Sequence, residues 1–200
     1  MADNLQQTVV LVKPDGVKRA LVGAIIARFE RAGFKMIACK MIWVDKTLVA
    51  KHYANDKKYL RGVGEKTLAD YKKYGLDPGE QLGTKDPLEI GKLVRKWNMD
   101  FISAGPVVAM IWEGPNAIEQ IRKIVGHTFP STAQPGTIRG DFSIDNTYMS
   151  NTLKRSVKNL IHASGDAKEA EFEIKLWFKE DEIYKNYKRV DEDLIYGELI

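Results

Sequence analysis

The chain holds a single cysteine, Cys39, which excludes an intrachain disulfide and leaves stability to the apolar core. Cys39 lies within KMIACKMIWV (35–44), where a small core residue is expected rather than a nucleophile. Histidine is also scarce, with three in all, and no Cys or His pair has the spacing of a structural zinc site. No apolar run approaches the roughly 18 residues that a membrane span needs. No basic-then-apolar segment opens the chain and no lipidation box closes it, so a soluble, cytoplasmic protein of a reducing compartment is expected. An excess of one charge is missing too: 31 Lys and Arg stand against 27 Asp and Glu. The cations are spread along the chain, so no nucleic-acid partner is predicted. A few cations gathered in one cleft would still suit a polyanionic small molecule.

What is present is ordinary globular material. Hydrophobic residues make up 44% of 200, enough to bury one core. TVVLVK (8–13) reads as a strand ended by Pro14-Asp15-Gly16. Leu21, Val22, Ile25, Ile26 and Phe29 recur at helical spacing, and Gly33 stops that helix. Residues 35–44 read as a strand apolar on both faces, which predicts a central position. A short helix is expected over 46–53. PVVAMIW (106–112) is another apolar strand, and Pro115 suits the first turn of the helix carrying Ile118, Ile121, Ile124 and Val125. Residues 157–163 read as a short strand. Asp166, with Glu169 three residues on, reads as the N-cap of a helix running through Phe178. Strands interleaved with helices predict an α+β sandwich. Two stretches exceed that economy: 55–99, expected to be a surface helical addition, and 145–155, a polar, helix-like segment.

Several residues suggest chemistry, each with a plainer alternative. Lys13 ends a strand beside a tight turn, where it can offer a point charge to phosphate or simply be solvated. Residues 126–141 form a long loop stiffened by Gly and Pro; Arg139 lies in it, and Arg122 sits on the polar flank of the preceding helix. Both suit polyphosphate oxygens, and both suit surface ion pairs. His162 ends an apolar strand, a place for a core or capping residue and also for a nucleophile. Glu173 could reach back to orient its ring. GVGEKT (62–67) imitates a P-loop, but Glu65 stands where that motif requires glycine.

Five blocks in order carry a resemblance. VKPDGVKRALVGAIIARFERAGF (12–34) is followed by His52-Tyr53, then SAGPVVAMIWEGPNAI (103–118), HTFPSTAQPGTIRGDF (127–142), and NLIHAS (159–164) with EAEFEIKLWF (169–178). Together they resemble the nucleoside diphosphate kinase family. The resemblance implies a ferredoxin-like antiparallel sheet with helices packed on it. It also implies ping-pong transfer of a terminal phosphate between nucleoside tri- and diphosphates, a Mg²⁺-bound nucleotide, and a homo-oligomer, tetramer or hexamer. By position it makes His162 the phosphorylated nucleophile. Lys13, Arg122, Thr128 and Arg139 would hold phosphates, Tyr53 would sit beside the nucleophile and Lys13, Asn159 would bind the sugar, and Ser164 and Glu173 would fix the histidine. The chain then reads as one domain, 1–200, with an insertion at about 55–99 and a smaller one at about 145–155. A binding module built on a kinase scaffold is the alternative, though a binder has no need of the nucleophile.

The departures are local. The family usually has Gly-Ser-Asp-Ser after the histidine, where this chain has Ala163-Ser164-Gly165-Asp166. The two long segments lie where the nucleotide base is expected, and Tyr59, Trp97 and Phe101 are candidates to stack on it. No matched block supplies a group to read a base edge, so weak base discrimination is expected unless 145–155 supplies one.

Overall fold

The computed structural model describes residues 4–197. Strand β1 (Leu5–Val12) leads into α1 (Pro14–Lys18) and α2 (Val22–Arg31), then β2 (Lys35–Ile42) and α3 (Lys46–His52). Helices α4 (Lys57–Lys73), α5 (Pro78–Leu82) and α6 (Pro87–Ile102) follow before β3 (Val107–Pro115) and α7 (Ala117–Val125). Helices α8 (Ile138–Phe142) and α9 (Thr147–Thr152) precede β4 (Ile161–Ala163), α10 (Ala167–Trp177) and α11 (Glu192–Tyr196). The sheet has the order β2-β3-β1-β4, and every pairing is antiparallel. This is the expected α+β sandwich.

Both faces of the sheet are covered, which explains why β1 and β3 are apolar without alternation. Val10, Val12, Met110 and Trp112 pack with Ile25 and Phe29 of α2 and Ile121 of α7. On the other face Val9, Leu11, Ala109 and Ile111 pack with Val49 of α3, Ile102 of α6 and Trp177 of α10. Neither cluster contains a residue of α4. Instead α4 crosses α6 at two glycines: a Cβ at Gly64 would lie 1.8 Å from the Pro87 carbonyl oxygen, and one at Gly91 would lie 1.9 Å from that of Leu60. GVGEKT lies inside α4, so it is no phosphate loop.

Four expectations need correction. β2 is an edge strand, not a central one. Its outer edge is met instead by the C-terminal segment, where the Tyr184 amide donates to the Ile37 carbonyl at 2.7 Å. Cys39 is exposed rather than buried, because the far end of β2 is uncovered on the side that also bears Met41 and Trp43, 63% and 68% exposed. Pro115 ends β3 instead of opening α7; Asn116, in the left-handed conformation (φ 49°), makes the turn between them. Finally, β4 spans only Ile161–Ala163. Leu160 has φ 68°, and the Ile161 amide reaches the Asn159 carbonyl at 2.7 Å, a tight turn that keeps the preceding residues out of the ladder.

Candidate active site

The site forms where the end of β1 lies beside the start of β4. Leu11 lies opposite His162 in the ladder, and the Lys13 amide donates to the Leu160 carbonyl at 2.8 Å. Asp15 secures the turn before the histidine, accepting from the Leu160 amide at 3.0 Å. Asp166 caps α10 as predicted, its carboxylate accepting from the Glu169 amide at 2.9 Å. That cap sets the phase of the helix and brings Glu173 under the histidine.

His162 Nε2 lies 2.7 Å from Glu173 Oε1. Glu173 Oε2 accepts from the Ser164 hydroxyl at 2.6 Å, and Ser164 Oγ accepts in turn from the Val9 amide at 3.1 Å. Ser164 and Glu173 are 0% and 1% exposed, so the ring is held by a buried, fully bonded support. Burial and the cations Lys13, Arg139 and Arg122 hold the His162 imidazole well below its ordinary titration range. A neutral ring donating through Nε2 leaves the Nδ1 lone pair free. Burial raises the Glu173 carboxyl, opposed by His52 and by the Ser164 hydrogen bond.

The cations stand behind a second network. Lys13 Nζ donates to Asn159 Oδ1 at 2.8 Å, and Asn159 Nδ2 donates to the Thr128 carbonyl at 2.9 Å. Burial, then the charge of Arg139, push Lys13 down to about 8 against the opposing pull of Asp15. Arg139 bonds the carbonyls of Asn159, Gly126 and Ile161 at 3.2, 3.0 and 2.6 Å. Of the five N–H groups on a guanidinium, two are left outside these bonds. Burial lowers Arg139 to about 10, so it keeps its charge near neutrality. Tyr53 is raised by burial and stays a neutral phenol.

Lys13, Tyr53, Thr128, Asn159 and His162 line one cleft of about 280 Å³. Its opposite wall comes from α4, α6 and α9, including Val63, Val94 and Trp97. Of the three aromatic candidates, Trp97 lines this cleft; Tyr59 and Phe101 do not. Arg122 is exposed and lines a separate, larger depression of about 780 Å³ with Gly126, His127 and Gly165. It does not line the cleft of His162; its NH1 lies 3.8 Å from where a Cβ on Gly165 would be.

Sequence reasoning missed His52. Its side chain is 2% exposed, its Nδ1 lies 3.3 Å from Glu173 Oε1, and Trp177 Nε1 donates to the same nitrogen at 3.4 Å. The His52 and His162 rings meet edge to face at 4.8 Å. Burial and the neighbouring His162 keep His52 neutral. A histidine opening a His-Tyr pair carries no mark of this role; only the packing of α3 on α10 reveals it.

A sequence profile described as nucleoside diphosphate kinase matches residues 6–61 and 91–183, the break taking in most of α4, all of α5 and the first turn of α6. The nucleoside diphosphate kinase of Pyrobaculum aerophilum is 42% identical over 179 residues, covering 90% of this chain and 98% of that one. That of Archaeoglobus fulgidus is 40% identical over 194 residues, covering 97% and 99%. Among solved structures, the Pyrobaculum aerophilum enzyme superposes with a TM-score of 0.89 at 40% identity, over 90% of this chain and all of that one. A transition-state mimic of the Borrelia burgdorferi enzyme, with bound vanadate and ADP, superposes with a TM-score of 0.76 at 39% identity, over 96% and 98%. On these matches along most of its length, the chain belongs to the nucleoside diphosphate kinase family.

Proposed function

We propose that the chain moves the terminal phosphate of a nucleoside triphosphate to a nucleoside diphosphate in two half-reactions through His162. The observation that carries this reading is the Glu173 contact to His162 Nε2 at 2.7 Å, which reserves Nδ1 for phosphorus. In the first half, the Nδ1 lone pair forms the N–P bond as the bond from phosphorus to the bridging oxygen breaks, and the diphosphate leaves with that electron pair. The proton on Nε2 stays in its bond to Glu173, so no general base is needed. In the second half, a terminal oxygen of the incoming diphosphate attacks phosphorus and the N–P bond breaks, restoring the neutral ring. A loose phosphoryl transition state asks chiefly for positioning and charge neutralisation. Lys13 and the spare N–H groups of Arg139 supply charge beside the histidine, Arg122 supplies it from the neighbouring depression, and the Thr128 hydroxyl offers a hydrogen bond to the phosphates. Asn159 holds Lys13 in place and takes the sugar, and Tyr53 walls the nucleophile.

We take the divalent cation on which the family's activity depends to be Mg²⁺. Among the described residues, the His/carboxylate cluster close enough to hold a metal is His52, His162 and Glu173. It is rich in nitrogen and already bonded, unlike the oxygen and water ligands that Mg²⁺ takes. The fit is therefore to a Mg²⁺ carried on the nucleotide phosphates, where it neutralises charge on the transferring group. The exposed free thiol of Cys39 suits a reducing, cytoplasmic setting, and no helix among the described residues is long and apolar enough to cross a membrane. The uncovered Met41 on edge strand β2 and Trp43 just beyond its end support a homo-oligomer, tetramer or hexamer. Incubation with γ-labelled ATP and Mg²⁺ tests the central reading. Acid-labile, base-stable label on the protein, released by a nucleoside diphosphate, is the expected result; label absent from the protein while transfer proceeds would exclude a phosphohistidine route.

A further inference from the structure

On α6, α7 and α10, four lysines are neutralised from within the helix: Lys92 by Glu89 at 2.7 Å, Lys96 by Asp100 at 2.6 Å, Lys123 by Glu119 at 2.8 Å and Lys175 by Glu171 at 2.6 Å. Helix α4 differs. Lys57, Lys58, Arg61, Lys66, Lys72 and Lys73 are all exposed, and among the described residues none of them makes a side-chain hydrogen bond or an ion pair. Against them the helix sets one exposed carboxylate, Glu65, and one half-buried, Asp70. Burial raises the Asp70 carboxyl, opposed by Lys73 and by a hydrogen bond with Thr147. This pattern works against the helix itself. Lys57 and Lys58 fill a first turn that holds no acid, where the helix dipole disfavours cations. Lys57 and Arg61, four residues apart, repel.

Stability does not account for such a face, but the place of the helix does. α4 contributes Val63, Lys66, Thr67 and Asp70 to the cleft that holds Lys13 and His162. At 1.5 Å per helical residue, no cation of α4 stands more than about 9 Å along the axis from one of these four. The Debye length is about 30 Å at roughly 0.01 M salt and about 3 Å at roughly 1 M. Their charge therefore reaches the cleft in dilute buffer and is screened from it in strong salt. Within the lining, Lys13 is bonded to Asn159 at 2.8 Å, and Arg155 to both oxygens of Asp145 at 2.6 and 3.0 Å. Lys66 stands among them with its ammonium free.

We propose that α4 is an electrostatic guide: its unpaired cations, with Lys66 on the cleft itself, draw nucleoside polyphosphates in and raise their rate of entry. A field of one sign beside a cleft concentrates ligands of the other, and the phosphates carry the charge it acts on. The proposal rests on the reading that this cleft takes nucleotides, and the experiment separates the two. Association of ADP with the unphosphorylated protein is followed by stopped-flow tryptophan fluorescence, Trp97 lying in the lining. Salt is varied from roughly 0.01 to roughly 1 M. ADP brings no phosphate to transfer to His162, so the signal reports entry alone.

The wild-type association rate should fall by roughly 10-fold or more across this range. Lys57→Gln, Lys58→Gln, Arg61→Gln, Lys72→Gln and Lys73→Gln combined remove the charges outside the lining and keep good helix formers. That variant should be several-fold slower than wild type at low salt and should converge on it at high salt. Lys66→Gln alone should show the same pattern to a smaller extent, and decides the matter if the combined variant folds poorly. Equal rates at low salt would overturn the proposal. So would a deficit that persists undiminished at high salt, the sign of a displaced helix. Loss of binding to a single-stranded oligonucleotide, with ADP entry untouched, would assign the face to nucleic acid and overturn it as well. Absence of phosphohistidine from γ-labelled ATP would remove the reading of function above and leave the ADP measurement standing. ADP that fails to bind at all, by equilibrium dialysis, would remove both.

Discussion

The two ends of the cleft are built on different terms. At the strand ends, Ser164, Glu173, Lys13, Asn159 and Arg139 are each tied to a named partner, and the chain backs them with a three-residue turn at Leu160. At the opposite wall, two long helices meet through glycines, and Lys66 stands without a partner among the described residues. Under the proposed function, the difference reflects what each end must do. Transfer of phosphorus depends on charges and a lone pair held in place before the substrate arrives. Capture of a nucleotide needs surface and a field of the right sign, neither of which asks for a fixed bond before the ligand binds.

The comparison breaks most sharply at the nucleophile. His162→Ala should abolish both self-phosphorylation and transfer while the fold, checked by circular dichroism, persists, because His162 is only one face of a three-residue edge strand. Label retained at wild-type stoichiometry would move the chemistry elsewhere. Loss of a preorganised charge costs less: Lys13→Ala and Arg139→Ala should each slow single-turnover transfer by about 10²-fold. Lys13 adds a pH dependence. Its group is pushed down to about 8 in the free protein, so the charged form is complete well below that value and is lost as pH rises through it. Accordingly kcat/KM should fall above about pH 8, and the same limb in kcat should lie higher, since bound phosphates favour the charged amine. A kcat/KM flat to pH 10 would show that the Lys13 charge is not needed.

His52 is a milder test, because it touches the carboxylate and not the substrate. His52→Ala opens space beside Glu173 Oε1 and strips Trp177 Nε1 of its acceptor. Small displacements of a catalytic group are expensive, so kcat should fall about 10-fold with KM little changed. His52→Asn, which can place an amide oxygen near the lost Nδ1, should recover part of the rate. Equal losses in kcat and KM, without rescue, would reduce His52 to packing.

The same contrast explains how much could be read in advance. TVVLVK, the Asp166 cap and the placement of Glu173 after His162 are local signals, and local signals fix strand ends and helix phase. The fold class and the cluster around His162 follow from them together with the family resemblance. What failed was non-local. The apolar run of β2 looks central because sequence does not say which edge is left without a strand, and the same blindness put Cys39 in the core. Pro115 obeys a helix-start preference that Asn116 overrides with a left-handed turn. His52 and Lys66 are ordinary residues whose position is set only once α3 meets α10 and α4 meets α6.

The smallest expected effect tests whether the two ends are separable at all. A Cβ at Gly64 would lie 1.8 Å from the Pro87 carbonyl oxygen, so Gly64→Ala must push α4 away from α6. Overpacking of this kind costs about 1–3 kcal/mol, and at roughly 2–4 °C per kcal/mol for a chain of this size Tm should fall by several degrees. Val63 and Thr67, on the same helix, line the cleft, so KM for the acceptor should rise by a few-fold. The phosphohistidine step at saturating ATP should stay near wild type, because the hydrogen bonds that hold His162, Glu173 and Ser164 are made to partners outside α4. Gly62→Ala is the control: it lies in the same helix with nothing within 4 Å of an added Cβ, so it should leave KM alone and hold or raise Tm. Should Gly64→Ala slow phosphohistidine formation itself, the helical wall is part of the chemical machinery, and the division drawn between the two ends fails.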